Sequence, residues 1–72
     1  MADLGIGESG RIVRLDGPPE TRHRLREMGL TAGALVRLIR AAPLGDPLEL
    51  LVRGYRLSVR KREAATVVIG AA

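Results

Sequence analysis

The chain contains no cysteine, no phenylalanine and no tryptophan, with Tyr55 as its one aromatic ring and His23 as its one imidazole. Without cysteine there is no disulfide framework and no thiolate metal site. Without phenylalanine and tryptophan the core must be built from Leu, Ile, Val and Ala. A groove walled by aromatic rings, as proline-rich ligands require, cannot be assembled from Tyr55 alone. The stacking platforms that readers of single-stranded nucleic acid use are missing for the same reason. A Ser-His-carboxylate set would depend on His23 and on a distant pairing that nothing in the sequence indicates. The GxG at Gly5–Gly7 lacks the Lys-Ser/Thr that completes a phosphate loop. No apolar run approaches the length of a membrane span, and the opening MADLGIGESG has neither the basic nor the apolar region of a leader. These absences point away from an enzyme, a cofactor and membrane insertion, and make the cytoplasm the expected compartment.

What is present is short and basic. At 72 residues the chain is expected to be one domain, residues 1–72, near the lower limit for folding on a single core. Its stability should fall at about 4–11 kcal/mol. Lys and Arg number 12 against 8 for Asp and Glu, a formal net charge of +4. A basic balance admits nucleic acid, an anionic membrane or an acidic protein surface as partner, and the plainer reading is a soluble, self-repelling surface. The longest basic run is only Arg60-Lys61-Arg62. The arginines at 11, 14, 37, 40, 53, 56 and 60 leave phosphate contacts with duplex or ribosomal RNA open, but without aromatic partners nucleic acid is not the preferred ligand.

Local structure is most legible between Pro18 and Ile39. Pro18 and Pro19 suit the first turn of a helix, where a missing N–H costs nothing. Arg22 to Met28 contain no Gly, Pro or β-branched residue. Gly29 stands where a left-handed residue ends a helix, which makes Leu25 and Leu30 the apolar pair of a Schellman stop. Leu25 and Met28 form a narrow apolar stripe, suited to a helix lying over a small sheet. Around this helix the pattern predicts strands at 11–15, 34–41, 48–52, 55–60 and 66–69. A turn at 53–54 and a single helical turn at 63–65 complete the reading. Residues 1–10 read as an irregular lead-in, with Leu4 and Ile6 as core anchors. In the second strand Val36 and Leu38 share one face and Leu35, Arg37 and Ile39 the other; in the fourth, Tyr55, Leu57 and Val59 share a face. Five short strands and one helix predict a small, strongly bent antiparallel barrel.

The residues that carry these elements resemble the FeoA family. They are Arg24-Leu25, Met28-Gly29-Leu30, Gly33, Val36 and Leu38, then Pro43-Leu44-Gly45-Asp46-Pro47-Leu48, Val52, Gly54 and Leu57, and last Arg62-Glu63-Ala64, Val67 and Ile69. The segment "R-L-x-x-M-G-L-x-x-G" and the loop "A-P-L-G-D-P", in this order and spacing, are its most specific parts. The resemblance implies a mainly β fold, a five-stranded SH3-like barrel with one short helix inserted between the first two strands. It also implies a part in bacterial ferrous iron uptake, docking on or regulating the membrane GTPase and transporter FeoB rather than carrying iron. The same domain resembles the C-terminal module of iron-dependent repressors of the diphtheria-toxin repressor type. Those modules follow a winged-helix and a dimerisation domain, and this chain starts at Met1 with neither, so a free-standing FeoA is expected. A metal-responsive regulatory module and a basic nucleic-acid-binding barrel are the alternatives.

Two sets of candidate site residues follow. Glu20, His23 and Glu27, spaced three and four apart, lie on one helical face and could offer a borderline cation three ligands. Three ligands with nothing behind them to fix their orientation bind weakly. A solvated face with Glu20 and Glu27 both paired to Arg24 is therefore the preferred reading. For partner contact the candidates are Arg22 and Arg26 on the helix and Leu44 and Asp46 in the proline-bracketed loop, chosen for expected exposure. Asp46 also reads as a turn former that accepts backbone N–H bonds. Leu35, Ile39 and Leu51 are expected to exceed what a tiny core can cover, leaving an apolar patch for a partner or a weak homo-oligomer.

Overall fold

The computed structural model describes residues 4–70. In chain order the elements are β1 (Ser9–Leu15), α1 (Pro19–Glu27), β2 (Leu35–Ala41), β3 (Leu48–Val52), β4 (Tyr55–Val59), α2 (Lys61–Ala64) and β5 (Val67–Gly70). All strand pairs are antiparallel, and the spatial order is β4-β3-β2-β1-β5. The chain therefore leaves the sheet at one edge, β4, and re-enters at the opposite edge, β5. The short α2 carries that crossing, and Val59 and Val67 from the two edges are buried in the same apolar cluster.

Each strand turns alternate residues inward. Ile12 from β1, Val36 and Leu38 from β2, Leu50 and Val52 from β3 and Val59 from β4 are all buried. Their outward neighbours include the arginines at 11, 37 and 56, so the pleat sorts apolar from charged side chains. Two register shifts interrupt the ladder, one between Ile12 and Arg14 and one between Leu38 and Arg40. Extra residues at such points bend a strand and increase its twist, as closing so small a sheet around one core requires. The second shift changes the expected alternation at Ile39, which is half-buried instead of outward like Leu35.

Helix α1 ends as the sequence predicts. Gly29 has φ of +97°. The Leu30 N–H donates to the Leu25 carbonyl at 2.9 Å and the Gly29 N–H to that of Arg26 at 3.0 Å, the two bonds of a Schellman stop. Leu25 is the buried residue of the helix, and Leu30 is buried beside the stop. A Cβ at Gly29 would meet nothing within 4 Å, so a substitution there is opposed by backbone conformation alone. Gly29→Ala is accordingly expected to lower the unfolding free energy by about 1–2 kcal/mol, read as a lower urea midpoint at unchanged m-value.

Several expectations change. β1 begins at Ser9, two residues before the predicted start, because Ser9 and Gly10 pair with Arg37 and Val36 of β2. Ile6 is 67% exposed and does not anchor the core, whereas Leu4 packs against it. Tyr55 begins β4 next to the 53–54 turn and is 73% exposed, so it lies beyond the cover of the core that buries Val59. The second helical turn runs 61–64 rather than 63–65. Among the described residues, no helix is long and apolar enough to cross a membrane.

Candidate functional site

Two surfaces carry the side chains that the sequence singles out. The first comprises α1 and the loop that precedes β3, each tied separately to α2. His23 and Glu27, one helical turn apart, are in polar contact through Nε2 and Oε1 on the exposed side of α1. Glu20 does not join them; it lines an open groove of about 510 Å³ between α1 and α2, with Thr21, Arg62 and Thr66. Glu20 and Glu27 are separated by about 10 Å along the axis, so a cation held by one is out of reach of the other. Among the described residues no group of three His, Cys, Asp or Glu side chains could hold a metal ion.

The expected pairing of both helix glutamates with Arg24 is also replaced. Arg24 Nη1 instead lies 3.3 Å from Glu63 Oε2, and Glu63, on α2, is nearly fully buried. Glu63 Oε1 accepts the Arg60 N–H at 3.3 Å, so one carboxylate ties α1 to the start of α2. Asp46 does accept a backbone N–H, though not within its own turn. Its Oδ1 takes the Lys61 N–H at 2.9 Å and holds the 43–47 loop against the start of α2. Leu44, at the loop tip, is 96% exposed. Arg26 is exposed, whereas Arg22 is half-buried with its Nε enclosed and no hydrogen-bond partner among the described residues.

The second surface is the outward face of β1, β2 and β3. Leu35 is 46% exposed and Leu51 is half-buried. The strand register surrounds both with arginines: Arg11 stands opposite Leu35, and Leu51 is flanked by Arg37 on β2 and Arg56 on β4. Leu35, Leu51, Arg37 and Arg53 line an open groove of about 560 Å³, completed by Ser9 and the turn glycines. Three guanidinium groups are tied down. Arg11 Nη1 donates to the Gly33 carbonyl at 2.8 Å, Arg37 Nε to that of Gly7 at 3.1 Å, and Arg53 Nη2 to Thr31 Oγ1 at 3.1 Å. Glu49, two residues from Leu51 along β3, is engaged with Arg40 at 2.7 Å. Among the described residues, none of Arg11, Arg37, Arg53 and Arg56 has a carboxylate partner.

Leu35 and Leu51 were legible as uncovered apolar side chains. The arginine rim was not, because its tethers reach residues 22 and 30 positions away in the chain. The available signal was the alternation L-V-R-L-I-R in β2, which puts Leu35 and Arg37 on the same face.

The geometry is that of a small barrel with an inserted helix, and its relatives share it. The FeoA domain profile matches residues 1–70. This chain belongs to the FeoA family. It is 32% identical over 69 residues to an Fe(2+) transport protein A/Fe(2+) transporter FeoB fusion protein of Porphyromonas gingivalis, a match covering 96% of this chain and 8% of the fusion. Among solved structures, the FeoA protein of Chlorobium tepidum superposes with a TM-score of 0.89 at 33% identity, over 97% of this chain and 67% of that one. The FeoA of Stenotrophomonas maltophilia, solved in complex with zinc and described as a procaryotic SH3 domain protein, gives 0.81 at 29% identity over 96% and 86%. The SH3-like fold that the family resemblance implies is therefore correct. The IdeR of T. acidophilum shares the fold alone, with a TM-score of 0.85 at 19% identity over 100% of this chain and 33% of that one.

Proposed function

We propose that this FeoA-family chain is a non-enzymatic cytoplasmic accessory of bacterial ferrous iron uptake that docks on the GTPase-bearing portion of a FeoB-type transporter and modulates it. The observation that carries this reading is the fusion protein, in which a segment similar to nearly all of this chain is joined to FeoB in one polypeptide. Covalent linkage holds two modules at an effective concentration of about millimolar for a short flexible linker. A separate chain needs a surface to replace that tether. The exposed side of α1 and the 43–47 loop offer one, with Arg22, Arg26, Leu44 and Asp46 as contacts. Arg26 and Leu44 would touch the partner directly. Asp46 acts through the loop that its bond to Lys61 holds in place.

The test is a titration of this protein against the FeoB-type transporter of the same cell, as the soluble GTPase portion and as the intact protein in nanodiscs. It is run at low salt with GDP and with a non-hydrolysable GTP analogue. Saturable binding is expected, weakened by Arg26→Glu and by Leu44→Ser, together with a changed rate of GTP hydrolysis. Absence of binding to either form in both nucleotide states overturns the reading.

A further inference from the structure

The outward groove on β1, β2 and β3 combines features that neither a solvated sheet face nor a simple apolar patch requires together. Its apolar floor is narrow, with Leu35 and Leu51 on neighbouring strands. Its rim is of one sign. Arg37 and Arg53 border it, Arg11 and Arg56 stand in register with its two leucines, and none of the four is neutralised by a carboxylate among the described residues. The guanidinium groups of Arg11, Arg37 and Arg53 are each held through one hydrogen bond to a neutral oxygen. A guanidinium has five N–H donors in a fixed fork, so most of each fork stays available while its direction is set. Such a group loses less side-chain freedom when it binds than a free surface arginine does.

We infer that this groove binds an extended acidic-apolar segment of a partner protein, with an apolar side chain seated between Leu35 and Leu51 and flanking carboxylates held by Arg37 and Arg53. The alternating spacing follows from the pleat. Along β2, Leu35 and Arg37 are two residues apart on one face, and Arg53, in the turn after β3, lines the same groove as Leu51. An extended ligand presents alternate side chains to one side at the same period, so leucine and glutamate at alternate intervals match the groove. Charge-assisted guanidinium–carboxylate bonds are stronger and more directional than neutral ones. A single-stranded nucleic acid would meet the same arginines but no aromatic ring on which to stack its bases. That the segment belongs to a FeoB-type transporter rests on the docking proposed above; the chemistry of the ligand rests on the groove.

The test uses the full chain, labelled with 15N, titrated with two end-capped synthetic peptides. In one glutamate and leucine are interspersed; in the other lysine replaces every glutamate. The acidic peptide should shift the amide resonances of Leu35, Arg37, Leu51 and Arg53 and leave those of α1 in place. Raising the salt from 0.05 to 0.5 M should weaken binding, because the Debye length falls to a few ångströms. The double variant Arg37→Gln with Arg53→Gln should bind about tenfold more weakly. Both side chains are outside the core, and the variant's own spectrum reports whether it is folded. Shifts confined to α1, no shifts, or equal shifts from the lysine peptide overturn the inference. So do movement of the same amides on simple dilution, which marks a self-interface, and stronger shifts there from a single-stranded oligonucleotide. No transporter enters this experiment, so its failure leaves the docking reading standing. A failed transporter titration, in turn, leaves the groove's ligand chemistry as measured.

Discussion

Leu25→Ala is expected to lower the unfolding free energy by about 2–5 kcal/mol. That is a large share of the roughly 4–11 kcal/mol available to a chain of this size. The reason is how α1 is attached. Leu25 is the buried residue of the helix, fully enclosed in the cluster that includes Leu30, Val36 and Leu50, and Met28 adds only partial cover. The other strong connection is the ion pair between Arg24 and Glu63, whose arginine is largely in water. Solvent screening at the arginine end weakens such a pair. Truncating Leu25 therefore removes most of what holds α1 down and leaves a cavity where the helix stop meets the core. Urea denaturation should show a lower midpoint, and each kcal/mol should appear as roughly 4–8 °C in Tm. Leu25→Met, which keeps the volume, should cost less than about 1.5 kcal/mol. Amide exchange in α1 should rise in the alanine variant before that of β2 and β3. A variant that kept its midpoint would show that the helix is held by something other than Leu25.

Gly10→Ala is expected to destabilise the fold by about 1–3 kcal/mol, through overpacking. Gly10 lies in β1 opposite Val36 and is buried under Ile69 of β5. A Cβ there would stand 2.1 Å from Ile69 Cγ2 and 3.3 Å from the Gly70 carbonyl oxygen. Relief requires Ile69 or the whole β1–β5 pairing to move, and a β-branched side chain has few alternative rotamers. The double variant Gly10→Ala with Ile69→Ala should recover part of the loss, which a thermodynamic cycle measures directly. Strict additivity of the two changes would overturn the steric account. The contrast with Gly29 is informative, because a Cβ at Gly29 meets open space and the cost there is conformational.

Gly10 also marks where the sequence stops being readable. Glycine and serine give no alternation and little strand propensity, so residues 9 and 10 read as lead-in. Only pairing with β2 makes them a strand. Ile6 failed as an anchor for a related reason: an isolated apolar residue among glycines carries no period that assigns it a face. Tyr55 has the right period but sits at the end of β4, beyond the cover of the core. By contrast, β3 appears at 48–52 as predicted, because its alternation is bounded by Pro47 on one side and Arg53-Gly54 on the other.

The candidate site divides in the same way. Exposure of Leu35 and Leu44 and the acceptor role of Asp46 were visible in the sequence, since each follows from strand period or loop chemistry. The partners were not. Asp46 bonds Lys61, 15 positions away. Arg24 pairs with Glu63, not with a helix neighbour one turn away. Helix pairing is the expectation for a solvated face, but Glu63 of α2 comes within reach of Arg24, and this buried carboxylate needs a positive partner more than either exposed glutamate does.

By itself, then, the sequence determined the elements and their punctuation: the helix with its Schellman stop, the 53–54 turn, the inward set of apolar residues and the family that shares them. These are encoded within a few residues, through backbone freedom at glycine, the fixed φ of proline and the two-residue strand period. Tertiary structure alone decided where β1 begins, which glycine must remain a glycine for want of space, and which arginines are held around Leu35 and Leu51. Those features depend on groups brought together by closing the sheet, and such groups leave no pattern along the chain.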